Sequence, residues 1–183
     1  MNYNVQPLRT NKEIESFKEA LGKRRYGQRN VLMFLLGINT GLRMSDILKL
    51  KVGDVRDTDY VILNEQKTGK RRRVFIAPLR SQIAAYLNTK PDTDYLFTSR
   101  SGQKLTTDAV YKLFASTGRL IHRNDIGTHT LRKTFGYHYY RQTNDIATLM
   151  VLFNHSSEEI TKRYIGITDS EIEKSLANFK LGL

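Results

Sequence analysis

Ile14, Phe17 and Leu21 recur at helical spacing within residues 11–22, and Thr10 or Asn11 stands ready to cap that segment. The next run, RNVLMFLLGIN (29–39), has almost no polar face, which predicts a buried helix. It stops at TGLR (40–43), where Gly41 permits a turn, and Ser45 then caps a short helix through DILKL (46–50). After residue 59 the period changes. YVILNEQ (60–66) and RRVFIAP (72–78) are rich in β-formers around the turn residues KTGK (67–70), so they predict a hairpin with a basic tip. LRSQIAAYL (79–87) reads as a helix and YLFTS (95–99) as a third strand. TTDAVYKLFASTGRL (106–120) reads as a helix capped by Thr106 or Thr107.

The last third of the chain returns to helical spacing. One helix starts at Thr128 and runs through Gln142. Another starts at Asn144 and sets Ile146, Leu149, Met150 and Phe153 on one face. Ser156 with Glu159, and Thr168 with Glu171, have capping-box spacing. The pattern gives an α+β, mainly helical domain with a small three-stranded antiparallel sheet. There is no internal repeat and no obvious linker.

Composition changes this picture in one respect. Thirty Lys and Arg against eighteen Asp and Glu leave a net charge of +12 on 183 residues, which favours a polyanionic partner, most often nucleic acid. The plainer meaning of such charge is solubility. With no cysteine, disulfides, thiolate metal sites and cysteine nucleophiles are excluded. The longest apolar run, VLMFLLGI (31–38), is too short to cross a bilayer, and no signal-peptide pattern opens the chain. A cytoplasmic protein with no membrane partner is expected, nucleoid-associated when bound to DNA. An RNA-binding reading finds no RNP or KH signature to support it.

Several residues stand out for chemistry, each with an ordinary alternative. His129 and Arg132 share one helix face near an N-terminus that already favours anions. Gly136 lies on nearly the same face, where a helix-interior glycine costs about 1 kcal/mol and hints at a close backbone approach. Arg43 is either an ion-pair partner of Asp46 or an anion clamp, and both can hold together. Lys67 leads KTGKRRR (67–73), which is either a solvated tip or a hairpin for a DNA groove. Tyr164 can simply pack with Ile160. Taken together, two arginines, two histidines, a lysine and a tyrosine suffice to surround one phosphodiester. A phenol would attack, cations would hold the non-bridging oxygens, and an ammonium would protonate the departing alkoxide.

At these residues the sequence resembles the catalytic domain of the tyrosine recombinase (phage-type integrase) family. TGLRMSDILKLKVGDV (40–55) looks like its first arginine box, HTLRKTF (129–135) like its H-x-x-R box, and NHSSEEITKRYIG (154–166) like its last box. QKTGKRRRVFI (66–76) looks like its β-hairpin. The resemblance implies Arg43, Lys67, His129, Arg132, His155 and Tyr164 as catalytic residues, with Tyr164 the nucleophile and Lys67 the general acid. It implies Asp46 as the companion that orients Arg43. Lys70, Arg71, Arg72, Arg73 and Lys133 are the expected DNA contacts.

It implies the family's catalytic-domain fold and a site-specific recombinase that cleaves and rejoins double-stranded DNA through a 3′-phosphotyrosine, with type IB topoisomerase-like chemistry and neither metal nor cofactor. A DNA-binding regulator that keeps the fold is the alternative. A homo-oligomer is implied, a tetramer on recombination sites, joined through residues 168–183. Residues 1–183 correspond to the catalytic domain alone, with no core-binding or arm-binding domain, so a separate protein supplying the missing clamp is expected. One departure is Asn154, where the family usually has glycine; asparagine tolerates the left-handed backbone such a turn needs.

Overall fold

In the computed structural model, which describes residues 5–167 and residues 173, 176, 177, 179 and 180, the chain wraps around one buried helix. That helix is α2 (Gly27–Thr40), following α1 (Asn11–Gly22). The short α3 (Met44–Ile47) comes next, then strands β1 (Tyr60–Asn64) and β2 (Arg71–Phe75), then α4 (Arg80–Leu87). The remainder is α5 (Thr107–Leu120), α6 (Thr128–Thr143), α7 (Ile146–Phe153) and α8 (Glu158–Ile165). Helices α1, α3, α4 and α6 all pack on α2, as expected of a helix whose Leu32, Met33, Phe34 and Leu36 are buried. The main core surrounds α2 and includes Phe17, Phe97 and Phe114. A second, smaller cluster of Leu149, Phe153 and Ile165 joins α7 to α8, with Phe135, Tyr139 and Tyr164 against it. The tyrosine-bearing helix therefore rests on a cluster of its own.

Local chemistry explains most boundaries. Thr10 caps α1 through a hydrogen bond from the Glu13 N–H, and Glu13 returns one from the Thr10 N–H. Gly41 ends α2 at φ +62, and a Cβ there would meet Phe135 Cδ1 at 2.4 Å, so both conformation and space demand glycine. Four expected caps fall elsewhere. Ser45 lies inside α3, which begins after Arg43. Gly127 is the N-cap of α6, and Thr130 Oγ1 accepts its N–H. Asn144 adopts φ +54 to close α6, which leaves Asp145 to cap α7 through the Thr148 N–H. Ser157, not Ser156, accepts the Ile160 N–H and caps α8. The Thr168–Glu171 cap and the 168–183 docking segment lie outside the described residues.

Among the described residues the sheet has two strands, not three. Residues 95–99 form only single bridges, Lys51 with Tyr95 and Thr98 with Lys104. Successive strand side chains point to opposite faces, yet Leu96 and Phe97 are both fully buried. The segment joins the core through Leu96 and Phe97, its Leu96 N–H donates to Leu50 O at 2.8 Å, and it does not pair with the hairpin strands. Among the described residues no helix is long and apolar enough to cross a membrane.

Gly136 lets α6 approach the smaller cluster. A Cβ there would stand 2.6 Å from Ile165 Cγ2 and 2.8 Å from Phe153 Cε2. Gly136→Ala gains about 1 kcal/mol of helix propensity but overpacks by about 1–3 kcal/mol. The net is a loss of up to about 2 kcal/mol, so we expect a melting temperature lower by up to about 8 °C. A raised melting temperature in thermal unfolding would contradict this packing.

Candidate active site

The turn at Gly41 delivers Arg43 in an extended conformation at the mouth of α3. Its Nη1 pairs with Glu65 Oε2 at 2.7 Å, and its side chain is 17% exposed. Asp46, expected as its partner, serves the hairpin instead, because its Oδ1 accepts the Gln66 N–H at 2.8 Å. Glu65 lies 6% exposed at the end of β1 and also meets Arg72 Nη1 at 3.3 Å and the Thr68 hydroxyl at 2.9 Å. Burial pushes the Glu65 carboxyl up, but hydrogen bonds from Arg43, Thr68 and Arg72 outweigh it and hold it below its ordinary value.

Arg132 projects from the first turns of α6 into the interior. Its Nη1 donates to Gly41 O and its Nη2 to Leu152 O at 3.1 Å, with Cζ 4.4 Å from the centre of the Phe153 ring. The guanidinium thus ties the Gly41 turn to the end of α7. Burial chiefly lowers its pKa to about 10, so it stays cationic at neutral pH.

Asn154 ends α7 at φ +55, the left-handed conformation expected of it, and His155 follows. His155 Nδ1 sits 3.1 Å from Thr161 Oγ1 on α8. The Tyr164 ring meets Phe153 and His155 edge-on, with centroids at 5.4 and 5.1 Å. Its hydroxyl is 3.5 Å from His129 Nδ1, at the outer limit of a hydrogen bond. Burial raises the Tyr164 phenol above its ordinary value, opposed by the charges of Arg132 and Arg43. One subunit therefore brings Arg43, His129, Arg132, His155 and Tyr164 together. Lys67 is exposed on the hairpin, close enough for its charge to reach His129.

The expected DNA contacts divide. Arg71 and Arg73 lie on the exposed side of β2, with Arg73 Cζ stacked 3.6 Å from the Tyr60 ring centre. Arg72 points inward, as strand alternation requires, and donates to Thr40 O at 3.1 Å and Leu152 O at 3.5 Å. Lys70 Nζ meets Asn154 Oδ1 at 2.6 Å. Lys133 Nζ turns to Val5 O at 2.7 Å and lies 5.4 Å from the Tyr164 ring centre. Sequence reasoning missed Glu65 and Thr161. Glu65 stands alone as an acid in NEQKTGKRRR, which was its one signal.

Both histidines titrate below the ordinary value, from burial first and then the Arg132 charge, with Lys133, Arg43 and Lys67 adding at His129 and Arg43 at His155. The unfolded chain then protonates these rings before the folded chain does. Stability tied to the neutral rings is lost as pH falls below about 6.5, toward the depressed values. A bound phosphate would attract the protonated rings and reverse that sign. We expect the melting temperature to fall more steeply from pH 7 to 5 without duplex DNA than with it. Replacing both histidines by asparagine should remove the difference. Equal slopes in the unsubstituted protein would mean the rings do not face phosphate.

This mainly helical scaffold, which sets a phenol among guanidinium and imidazole groups, has the fold of tyrosine recombinase catalytic domains. The model of the phage integrase family matches residues 9–171, and the chain belongs to that family. Probable integrase/recombinase YoeC of Bacillus subtilis (strain 168) is 41% identical over 167 residues, spanning 90% of this chain and 91% of the relative. Tyrosine recombinase XerA of Pyrococcus furiosus is 27% identical over 178 residues, which cover 94% of this chain but 61% of XerA. The solved structure of XerH site-specific recombinase bound to palindromic difH substrate, a post-cleavage complex, matches with a TM-score of 0.70 at 23% identity. That match covers 97% of this chain and 54% of XerH and shows a shared fold.

Proposed function

We propose that this chain is a site-specific recombinase that cuts and rejoins DNA strands through a phosphotyrosine at Tyr164. The Tyr164 oxygen attacks phosphorus, the bond to the 5′ oxygen breaks, and a 3′-phosphotyrosine forms. His129, kept neutral, accepts the phenol proton, and Lys67 gives one to the departing 5′ oxygen. Arg43, Arg132 and His155 hold the non-bridging oxygens, where each donor is worth roughly 3–4 kcal/mol in the transition state. A 5′-hydroxyl from the same or another strand reverses the step, so no external energy is needed. On a single duplex, rotation between the two half-reactions would relax supercoils. Exchange between duplexes requires several copies, and we assign residues 168–183 to the contact between them, with a further polypeptide covering the opposite side of the duplex. The reading places the protein in the cytoplasm, on the nucleoid.

The observation that carries this reading is the Tyr164 hydroxyl 3.5 Å from His129 beside the buried Arg132, all within one subunit. XerH, the similar protein solved on cleaved difH DNA, adds support for a DNA substrate. The test is covalent capture. The protein is mixed with a pool of nicked, labelled duplexes of randomised sequence and denatured in SDS. A retained protein–DNA band is expected, and sequencing its DNA gives the site. Native-gel binding without any retained band would overturn the proposal in favour of a binding regulator.

A further inference from the structure

Glu65 belongs to none of the motifs that point to catalysis, yet it touches more of the site than any other carboxylate described. It is 6% exposed, and both of its oxygens are engaged. Oε2 accepts from Arg43 Nη1 at 2.7 Å and from the Thr68 hydroxyl at 2.9 Å. Oε1 takes Arg72 Nη1 at 3.3 Å. Thr68 is the residue after Lys67 in the hairpin turn. Arg72 continues the chain of contacts to Thr40 O, at the end of α2, and to Leu152 O, where Arg132 Nη2 also donates. One buried carboxylate thus joins the first arginine, the lysine-bearing turn and the carbonyl that holds the second arginine.

We propose that Glu65 is a positioning residue for DNA cleavage: it fixes the Arg43 guanidinium and the Lys67 turn in one frame before DNA arrives. The inference rests on the recombinase reading above. Arg43 gives Glu65 only Nη1, so Nη2 and Nε remain to grip a phosphate. Without the carboxylate, Arg43 and Arg72 would repel each other at close range, and Arg43 would lose its aim. The negative charge also has a cost, since it weakens the attraction of the site for a polyanion. Positioning and attraction therefore pull in opposite directions at Glu65, and that opposition can be measured.

The experiment uses the full chain and the nicked duplex recovered by covalent capture. Glu65→Gln removes the charge. Glu65→Asp keeps it but withdraws it by one methylene. We expect Glu65→Gln to slow formation of the covalent band by about 10²-fold, the scale of a small misplacement of reacting groups, while DNA binding holds or tightens. A variant that merely unfolds would lose both. Glu65→Asp, with melting and binding close to those of the original protein, should still cleave at least about tenfold more slowly. Wild-type rates in Glu65→Asp would overturn positioning in favour of charge alone. Wild-type rates in Glu65→Gln would overturn any role. If the unsubstituted protein forms no covalent band, the recombinase reading itself fails, which is a separate outcome.

Discussion

Tyr164→Phe is expected to abolish the SDS-resistant band while leaving DNA binding within about twofold, because the nucleophile disappears and little else does. The ring of Tyr164 packs edge-on against Phe153 and His155, contacts that phenylalanine preserves. Its hydroxyl lies at the long distance of 3.5 Å from His129 and beside the Arg132 guanidinium, a group that keeps its bonds to Gly41 O and Leu152 O in the variant, so the fold should change by no more than about 1 kcal/mol. The chemical loss is of another order. Removing a nucleophile that works as a unit with its neighbours costs about 10⁴-fold or more, whatever the other residues contribute. The pH dependence belongs to the same argument. Burial raises the phenol and Arg132 and Arg43 pull it back, while burial lowers His129, which in the proposed mechanism takes the proton as the bond to phosphorus forms. The chain has ten tyrosines, with Tyr139 and Tyr140 on the neighbouring helix, so the residue carrying DNA must be mapped by peptide sequencing. A band that survives in Tyr164→Phe, carried by another tyrosine, would overturn the assignment.

What the sequence made legible, and what it hid, divides along the reach of the interactions. Gly41, Asn154 and Gly136 could be flagged from sequence because each answers a local demand, a left-handed backbone or space for a neighbouring helix. The caps were off by one where two capping residues stand side by side, as in Asn144–Asp145 and Ser156–Ser157. In the first pair the preceding helix claims Asn144 for its own end. The direction of Arg72 was readable in principle. Alternation along β2 sets Arg71 and Arg73 on one face and Arg72 on the other, but a run of three arginines hides that period. The partner of Arg43 was not readable. Asp46 is three residues away and chemically suited, whereas Glu65 comes from 22 residues further along through the hairpin. Only the fold decides between them.

Lys67 is an exposed member of the proposed set, and Lys67→Ala is expected to slow cleavage by about 10²–10⁴-fold, the usual worth of a positioned general acid. Its ammonium makes no hydrogen bond or ion pair among the described residues, so the substitution leaves no buried partner stranded and should not disturb folding. Binding should change little, because one phosphate contact is a small part of affinity and shifts the salt slope by only about 0.9. Arg71→Ala is the matched control, another exposed cation of the same hairpin, and should weaken binding as much while leaving cleavage nearly intact. A sulfur in place of the bridging 5′ oxygen separates the roles further. A thiolate leaves without needing a proton, so Lys67→Ala and the unsubstituted protein should cleave that substrate at similar rates. If the lysine instead only attracted DNA, Lys67→Ala would lose binding and cleavage in the same proportion. Sulfur would then rescue neither, and the hairpin would act as an electrostatic patch in place of the acid.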